Sequence, residues 1–263
     1  MARAPFPSLF LSHGAPSLPL EDTPASAFLR GLGTALGRPD AVLVVSAHWE
    51  TAAPTLNAVA RNDTIHDFHG FPRALHEMRY PAPGSPELAA EAAALLRAAG
   101  LEAGSDRRRG LDHGAWVPLL LMYPGADIPV VQLSVQTAAG PAHHLAAGRA
   151  LRPLRGRGVL VVGSGSYTHD LSGLRRPGPG TEAEPDWVAG FADWMDRALV
   201  ERRVADLLDY RRLAPGAARN HPTEEHLLPL YAALGAGSEG GTVERLHRSL
   251  AFGVLRMDAY AFH

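Results

Sequence analysis

Short apolar runs alternate with Ala/Leu-rich stretches along most of the sequence, and this alternation constrains the fold more than any other feature. Residues 8–11, 41–45 and 158–163 are apolar or β-branched runs, typical of strands that are buried on both faces. Residues 24–36 and 141–154 have helical composition and lie between such runs. Strands that alternate with helices form βαβ units. The pattern therefore predicts an α/β fold built around a largely parallel sheet.

The other segments complete one α/β domain over residues 1–263, because neither an internal repeat nor a linker interrupts the sequence. Ser85 is expected to cap one helix and Thr223 another, because serine and threonine side chains accept hydrogen bonds from the first turn. The further expectations are strands over 54–59, 129–135 and 252–260, helices over 86–99, 115–123, 185–210 (one or two) and 223–234, and loops over 62–83 and 175–180.

The composition excludes several classes of function. The chain has 263 residues and no cysteine, so disulfides, iron–sulfur clusters and thiolate zinc sites are excluded. It also has no lysine, which excludes a lysine Schiff base. A net charge of −2 gives no electrostatic basis for nucleic-acid binding. Residues 1–5 do not resemble a signal peptide, and no apolar run reaches the ~18 residues that a membrane span needs, so we expect a cytoplasmic protein.

Three of the thirteen histidines follow predicted strands. His13 follows residues 9–12, His48 ends the run that begins at residue 42, and His169 comes shortly after the strand at 158–163. Ligands of open α/β sheets bind at the carboxyl ends of the strands, so these side chains are expected to converge. Imidazole is a common ligand of iron, zinc, copper and nickel. Each histidine alone could equally be a surface or core residue, but the set predicts a metal site.

Further histidines have a context that fits the same site. His113 lies on a loop that enters a predicted helix, and His226 falls in the first turn of another, where it could reach the site. His66 and Trp49 are candidates for contact with a substrate, although aromatic side chains near a metal often belong to the core. The histidines for which no such context was found are assigned to structure or surface: His76, His143, His144, His247 and His263.

Five short motifs together resemble the class III, LigB-type extradiol ring-cleavage dioxygenases, and within them the 4,5-DOPA extradiol dioxygenase branch. The motifs occur in the order found in that family and extend over nearly the whole chain. They are LSHGAPS at residues 11–17, SAHW at 46–49, LDHGAW at 111–116, GSG with HDL at 163–171, and HPTEEHLLPL at 221–230.

The resemblance implies αβα layers around a mixed sheet and a mononuclear nonhaem Fe(II) site. By match to the family, His13, His48 and His226 are the metal ligands. His169 matches the catalytic acid/base histidine and is also a possible fourth ligand. His113 matches a histidine that orients substrate or O2. Three histidines depart from the two-histidine, one-carboxylate set typical of Fe(II) oxygenases, so Zn(II) could occupy the same site.

The expected reaction is extradiol cleavage of a small-molecule catechol, DOPA-like or another, by O2. Two alternatives remain open at this point. One is a zinc-dependent hydrolase that uses metal-bound hydroxide, with Glu225 as base; Glu225 is also the carboxylate that could replace a histidine ligand. The other is a non-enzymatic metal-binding protein of the related Memo type, which shares the fold without the dioxygenase activity.

Overall fold

The computed structural model describes residues 4–174 and 183–263, so the loop predicted at 175–180 lies outside the described residues. Within these two ranges the chain forms ten strands and ten α-helices. The strands are β1 Ser8–Ser12, β2 Ala41–Glu50, β3 Thr55–Asn57, β4 Gly104–Asp106, β5 Val130–Val135, β6 Val159–Gly165, β7 Val243–His247, β8 Leu250–Ala251, β9 Leu255–Arg256 and β10 Ala259–Phe262. The helices are α1 Pro24–Leu36, α2 Arg73–Glu77, α3 Pro86–Ala98, α4 His113–Met122, α5 Gly140–Leu151, α6 Asp186–Val200, α7 Val204–Leu208, α8 Tyr210–Leu213, α9 Ala217–Asn220 and α10 Leu228–Ala236.

One mixed sheet of eight strands forms the centre of the fold, in the order β4-β3-β5-β2-β6-β1-β10-β7. The four central strands β5, β2, β6 and β1 are mutually parallel, as the alternation of strands and helices predicts. Strand β10 pairs antiparallel with β1, and β3 pairs antiparallel with β5. The parallel centre therefore continues at both sides into antiparallel pairs, which confirms an α/β fold with a mixed sheet.

Helices cover both faces of the sheet, because successive side chains of a strand point to opposite faces. In β2, Val42 and Val44 pack in the cluster that contains α1 and α4. Leu43 and Val45 pack in the second cluster, which contains α3, α5, α6 and α10. All four side chains are almost completely buried. The protein consequently has αβα layers with one apolar core on each side of the sheet.

Helices α1 and α3 begin where the sequence predicts, and α4 begins at His113, two residues before the predicted start. Thr23 caps α1, where it exchanges hydrogen bonds with Ser26. The Ser85 hydroxyl accepts from the amide of Leu88 at the start of α3. Asp112 does the same for Ala115 at the start of α4. Among the described residues, no helix combines the length and the apolar character that crossing a membrane requires.

The predictions over 223–234, 185–210 and 252–260 need correction. Thr223 does not cap a helix: its hydroxyl donates to the Glu225 carboxylate, and α10 begins only at Leu228. Pro229 explains this start, because proline lacks an amide hydrogen and fits the first turn. The segment at 185–210 ends inside a third helix, after α6 and α7, and the closing strand β10 begins only at Ala259.

Candidate metal centre

The histidines that follow strands meet at the carboxyl ends of the central strands. His13 comes directly after β1, His48 lies near the end of β2, and His169 lies just beyond β6. Because β6 pairs in parallel with both β1 and β2, the carboxyl ends of these three strands are adjacent. The structure therefore brings these predicted residues together with His226 and His113. His226 lies in the turn before α10 and not in the first turn of a helix as predicted, and His113 is the first residue of α4 and not part of the preceding loop.

Three imidazole nitrogens approach each other closely in this group. His48 Nε2 lies 3.0 Å from His13 Nε2 and 3.2 Å from His226 Nε2. The side chains of His13 and His226 are buried, and that of His48 is half-buried. His48 thus lies between two groups of potential ligand atoms, one with His13 and His113, the other with His226, His169 and Glu225.

The hydrogen bonds of His13 decide which of its nitrogens carries the proton. His13 Nδ1 is 3.0 Å from the hydroxyl oxygen of Ser164. That hydroxyl already donates its hydrogen to the carbonyl oxygen of Gly114. Ser164 Oγ must therefore accept from His13 Nδ1–H, since a hydroxyl has one hydrogen. In neutral His13, Nε2 is consequently unprotonated and directs a lone pair at His48.

The same reasoning applies to His226. Its Nδ1 lies 2.8 Å from Glu225 Oε1, and a carboxylate can only accept a hydrogen bond. Nε2 of neutral His226 is therefore also unprotonated. His48 Nε2 carries at most one hydrogen, which can face either His13 or His226 but cannot satisfy both. A cation satisfies all three nitrogens at once, so the donor set fits a metal ion bound by imidazoles.

Burial and mutual repulsion keep these histidines neutral. Burial lowers the pKa of His13 and of His226 well below the usual range, and the neighbouring imidazoles lower both further. Burial also lowers the pKa of His48 to about 3, with the proximity of His113 as the next cause. Neutral imidazole is the form that binds a metal, so the cluster needs no proton release at neutral pH.

Asp67 holds His113 in place, although the sequence did not single out this carboxylate. Its Oδ2 accepts from His113 Nδ1 at 3.0 Å, and its Oδ1 accepts from the His113 amide at 3.0 Å. Burial alone would raise the pKa of Asp67, but the hydrogen bonds from His113 lower it to about 2. Asp67 is therefore ionised and accepts the hydrogen on His113 Nδ1; in the neutral imidazole, His113 Nε2 then carries none. Asp67 lies in the segment 62–83, which the sequence predicts as a loop and which in the structure also contains the short helix α2.

Asp112 supports the site through buried hydrogen bonds. This fully buried carboxylate accepts from Ser46 Oγ at 2.7 Å and from Arg109 at 3.1 Å, and from the Gln132 amide. Burial raises the pKa of Asp112, and these donors oppose the increase. Arg109 also donates to the carbonyl of His48 at 3.3 Å and so connects Asp112 to the end of β2.

His169 stacks on His226. The two ring centroids are 3.4 Å apart and the rings are inclined by 14°. The His169 amide donates to the carbonyl of Asn220 at 2.7 Å, which fixes the backbone of the segment after β6. Burial lowers the pKa of His169, so its imidazole is also neutral near pH 7 and can accept a proton.

A cavity of about 440 Å³ opens in front of the five histidines. Its other walls are mostly apolar, which suits a flat aromatic ring. The two residues predicted to contact a substrate do not line it: His66 faces the carbonyl of Met78 at 3.1 Å, and Trp49 is buried beneath the guanidinium of Arg109. The apolar walls include Phe68, Phe71, Leu171, Leu174, Phe252 and Leu255.

Comparison with known families agrees with this site. The family described as the catalytic LigB subunit of aromatic ring-opening dioxygenase matches residues 7–262. That range includes every histidine of the metal centre and almost the whole chain.

Similar proteins match over most of their length. A protein of Beta vulgaris named 4,5-DOPA dioxygenase extradiol is 44% identical over 259 residues, covering 97% of this chain and 96% of the relative. A protein of the same name from Escherichia coli K12 is 39% identical, covering 90% of this chain and 87% of the relative. The crystal structure of an uncharacterized protein from Escherichia coli K12 superposes with a TM-score of 0.83 at 34% identity, covering 98% of this chain and 100% of that chain.

Proposed function

The chain belongs to the LigB family of aromatic ring-opening dioxygenases, and we propose that it cleaves catechol-type rings extradiol with O2 at a single metal ion. We propose His13, His48 and His226 as the ligands of that ion, within one catalytic domain over residues 1–263. The family match over residues 7–262 supports this extent.

One observation carries the proposal. The Nε2 atoms of His13 and His226 both direct lone pairs at His48 Nε2, over 3.0 and 3.2 Å, because Ser164 and Glu225 occupy the opposite nitrogens. Close, unprotonated nitrogens on different elements are costly unless a cation lies between them. Glu225 Oε1 is engaged by His226 Nδ1, which favours the three histidines over a ligand set that includes this carboxylate.

We propose Fe(II) as the working metal. When bound, Fe(II) supplies the redox chemistry with O2 that ring opening requires, whereas zinc has no redox chemistry. Imidazoles bind both ions, so Zn(II) is expected to occupy the same residues without supporting turnover. A zinc hydrolase is the weaker candidate for a different reason: Glu225, its proposed base, is held against His226 by a hydrogen bond.

The other histidines handle the substrate. His169 is neutral and lines the cavity, so one of its imidazole nitrogens can accept the proton that a catechol hydroxyl loses. Asp67 holds Nδ1 of His113, so Nε2 faces the cavity side of the ring and, in the neutral tautomer, can accept a hydrogen bond from a catechol hydroxyl and orient it. The apolar walls exclude water from the ring. The substrates are a small-molecule catechol and O2, and the names of the relatives point to DOPA-like catechols.

Oxygen consumption tests the proposal. The protein is prepared without oxygen, loaded with one equivalent of Fe(II), and mixed with each of several catechols before air is admitted. We expect oxygen uptake in step with catechol loss and a yellow ring-opened product. The zinc-loaded protein is the control and should consume no oxygen. Absence of uptake with every catechol, on protein shown to contain iron, would refute the proposed activity.

Two substitutions separate ligands from acid/base groups. His48→Ala should abolish stoichiometric iron binding, because it removes the nitrogen between His13 and His226. His169→Ala should retain iron and lower kcat by about 10²–10⁴-fold, the usual contribution of a general acid/base. Metal analysis and steady-state kinetics check both. Loss of iron from His169→Ala would show instead that His169 is a fourth ligand.

A further inference from the structure

A second cavity lies beside the metal centre. Its volume is about 350 Å³, and it shares part of its wall with the histidine-lined cavity. Gly14, Ala15, Glu21 and Phe252 line both cavities. Gly14 and Ala15 directly follow His13, and consecutive Cα atoms are only ~3.8 Å apart. The second cavity therefore begins within a short distance of a proposed metal ligand, where a short substituent on a bound ring can reach it.

The shared wall is thin because Gly14 forms part of it. Gly14 has φ = 69°, a conformation that glycine adopts without strain. A Cβ atom at this position would lie 2.7 Å from Cε of Met257, which lines the second cavity. A larger residue at position 14 would therefore push on this wall.

Phe252 is the bulky part of the same wall, and its backbone is unusual. It lies between β8 and β9 with φ = 51°, the left-handed region that bulky residues rarely adopt. Gly253 follows with φ = 75°, so the turn needs positive φ at both positions. Holding a phenylalanine in this conformation is costly, and such strain is concentrated at binding sites. In this conformation Phe252 lines both cavities.

Glu21 is the ionisable side chain of the second cavity. Among its described lining residues no other is acidic or basic; most are apolar. The backbone of Glu21 is fixed on both sides, because its amide donates to Leu18 at 3.2 Å and its carbonyl accepts from Ser26 at 2.7 Å. Its carboxylate forms neither an ion pair nor a hydrogen bond within the described part of the chain. A half-buried, unpaired carboxylate in an apolar cavity favours a cationic group.

We infer that the second cavity is the subsite for the substituent of the catechol, and that Glu21 selects substrates whose substituent ends in an ammonium group. The inference rests on the proposed ring cleavage and adds to it a specificity-determining residue, Glu21, and the place of the substituent. The ring lies before the histidines and the substituent passes Phe252. The aromatic face of Phe252 adds to the attraction for an ammonium group. A substituent that ends in a carboxylate alone is repelled by Glu21.

Three catechols that differ only at the end of the substituent test this inference: aminoethyl, ethyl and carboxyethyl catechol. The readout is the ratio of kcat/KM for aminoethyl over ethyl catechol on the iron-loaded enzyme. Glu21→Gln should lower this ratio by at least about tenfold, the value of one charge-assisted contact. Asp22→Asn is the matched control, because it removes the same charge from the next residue, which lines neither cavity. It should leave the ratio unchanged.

Calorimetry on the zinc-loaded protein provides a measurement that does not depend on turnover. Aminoethyl catechol should bind more tightly than ethyl catechol, and Glu21→Gln should remove the difference. The inference would be overturned if wild type and Glu21→Gln had the same kcat/KM ratio for aminoethyl over ethyl catechol and the same affinities for these two compounds. A preference for the carboxyethyl compound would also overturn it. If ethyl catechol binds the zinc-loaded protein but the iron-loaded protein cleaves none of the three, the proposed function fails, and the calorimetric comparison still decides the role of Glu21.

Phe252→Gly tests the position of the subsite independently. Glycine keeps the positive φ and removes the ring that lines both cavities. Catechols with longer alkyl substituents should then gain in kcat/KM relative to ethyl catechol by more than about fourfold, the value of one additional buried methylene. An unchanged dependence on chain length would show that the substituent does not pass Phe252.

Discussion

Individual acceptors set the protonation state of the histidines in the candidate metal centre. Ser164, Glu225 and Asp67 each engage Nδ1 of a different imidazole. In a neutral imidazole each contact places the hydrogen on Nδ1, so the orientation of the ring and its tautomer are fixed before a metal arrives. Metal affinity should therefore depend on residues that do not touch the ion.

Glu225→Ala tests this dependence. Loss of the acceptor at 2.8 Å from Nδ1 lets His226 rotate and adopt the other tautomer. We expect the Kd for Zn(II) or Fe(II) to rise by about 10–100-fold, the usual effect of removing such a partner. Competition with a chelator measures it. Glu224→Ala is the matched control, because Glu224 accepts from Tyr210 instead and does not contact His226. Equal affinities in both variants would contradict the assigned role of Glu225.

The sequence predicts the histidines of the site better than their partners. His13, His48 and His169 follow strands, so their convergence is visible in the linear pattern. Asp67 is different: it lies in a long loop, and only the folded path of that loop brings it to His113. The same holds for Glu21 and Phe252, which are far apart in sequence and meet only at the wall between the cavities.

At the scale of elements, the strands that the sequence predicts are those that are buried in the fold. Strands β2, β5 and β6 are buried on both faces for most of their length, and their apolar runs identify them. Strands β4 and β7 lie at the edges of the sheet, and neither contains a fully buried residue. Their sequences therefore carry no apolar pattern and were not predicted.

One buried histidine should make the packing of helix α5 sensitive to pH. His144 Nδ1 donates to the carbonyl of Gly140 at 2.8 Å, and Nε2 accepts from the amide of Gln136 at 3.1 Å. Protonation of Nε2 would place two donors against each other. Burial lowers the pKa of His144 from 6.5 to about 4.

This shift predicts a loss of stability in mild acid. Between pH 6.5 and pH 4 the unfolded chain binds a proton at His144 and the folded chain does not. The contribution of neutral His144 to the free energy of unfolding is therefore complete above pH 6.5 and is lost as the pH falls to 4; it amounts to about 3 kcal/mol in total. Urea unfolding at several pH values measures it. His144→Gln, which cannot titrate, should show a shallower slope in this window; parallel curves for the two proteins would contradict the assignment.

At the scale of the whole molecule, the closing segment at the C-terminus lies beside the metal centre, with β10 inside the sheet between β1 and β7. Strand β10 pairs with β1, and the carbonyl of Asp258 accepts from the amide and the hydroxyl of Ser12, immediately before His13. The Asp258 carboxylate forms two hydrogen bonds with Arg256, at 2.8 and 2.7 Å. Both side chains are almost fully buried, and Arg256 also contacts Glu184 at 2.8 Å. The ion pair therefore lies within the closing segment, and the main-chain carbonyl of Asp258 connects that segment to Ser12, next to His13.

Removing one member of this pair should destabilise the whole protein. Asp258→Ala leaves the guanidinium of Arg256 buried with Glu184 as its one carboxylate partner among the described residues, so we expect the free energy of unfolding to fall by about 3–5 kcal/mol. Replacing both members by apolar residues, as in Arg256→Met with Asp258→Leu, removes the unpaired charge and should recover most of that loss, because buried ion pairs contribute little net stability. Urea unfolding of the metal-free proteins compares the variants. A double variant that is less stable than Asp258→Ala would show that the pair itself, and not the avoidance of an unpaired charge, stabilises the closing segment.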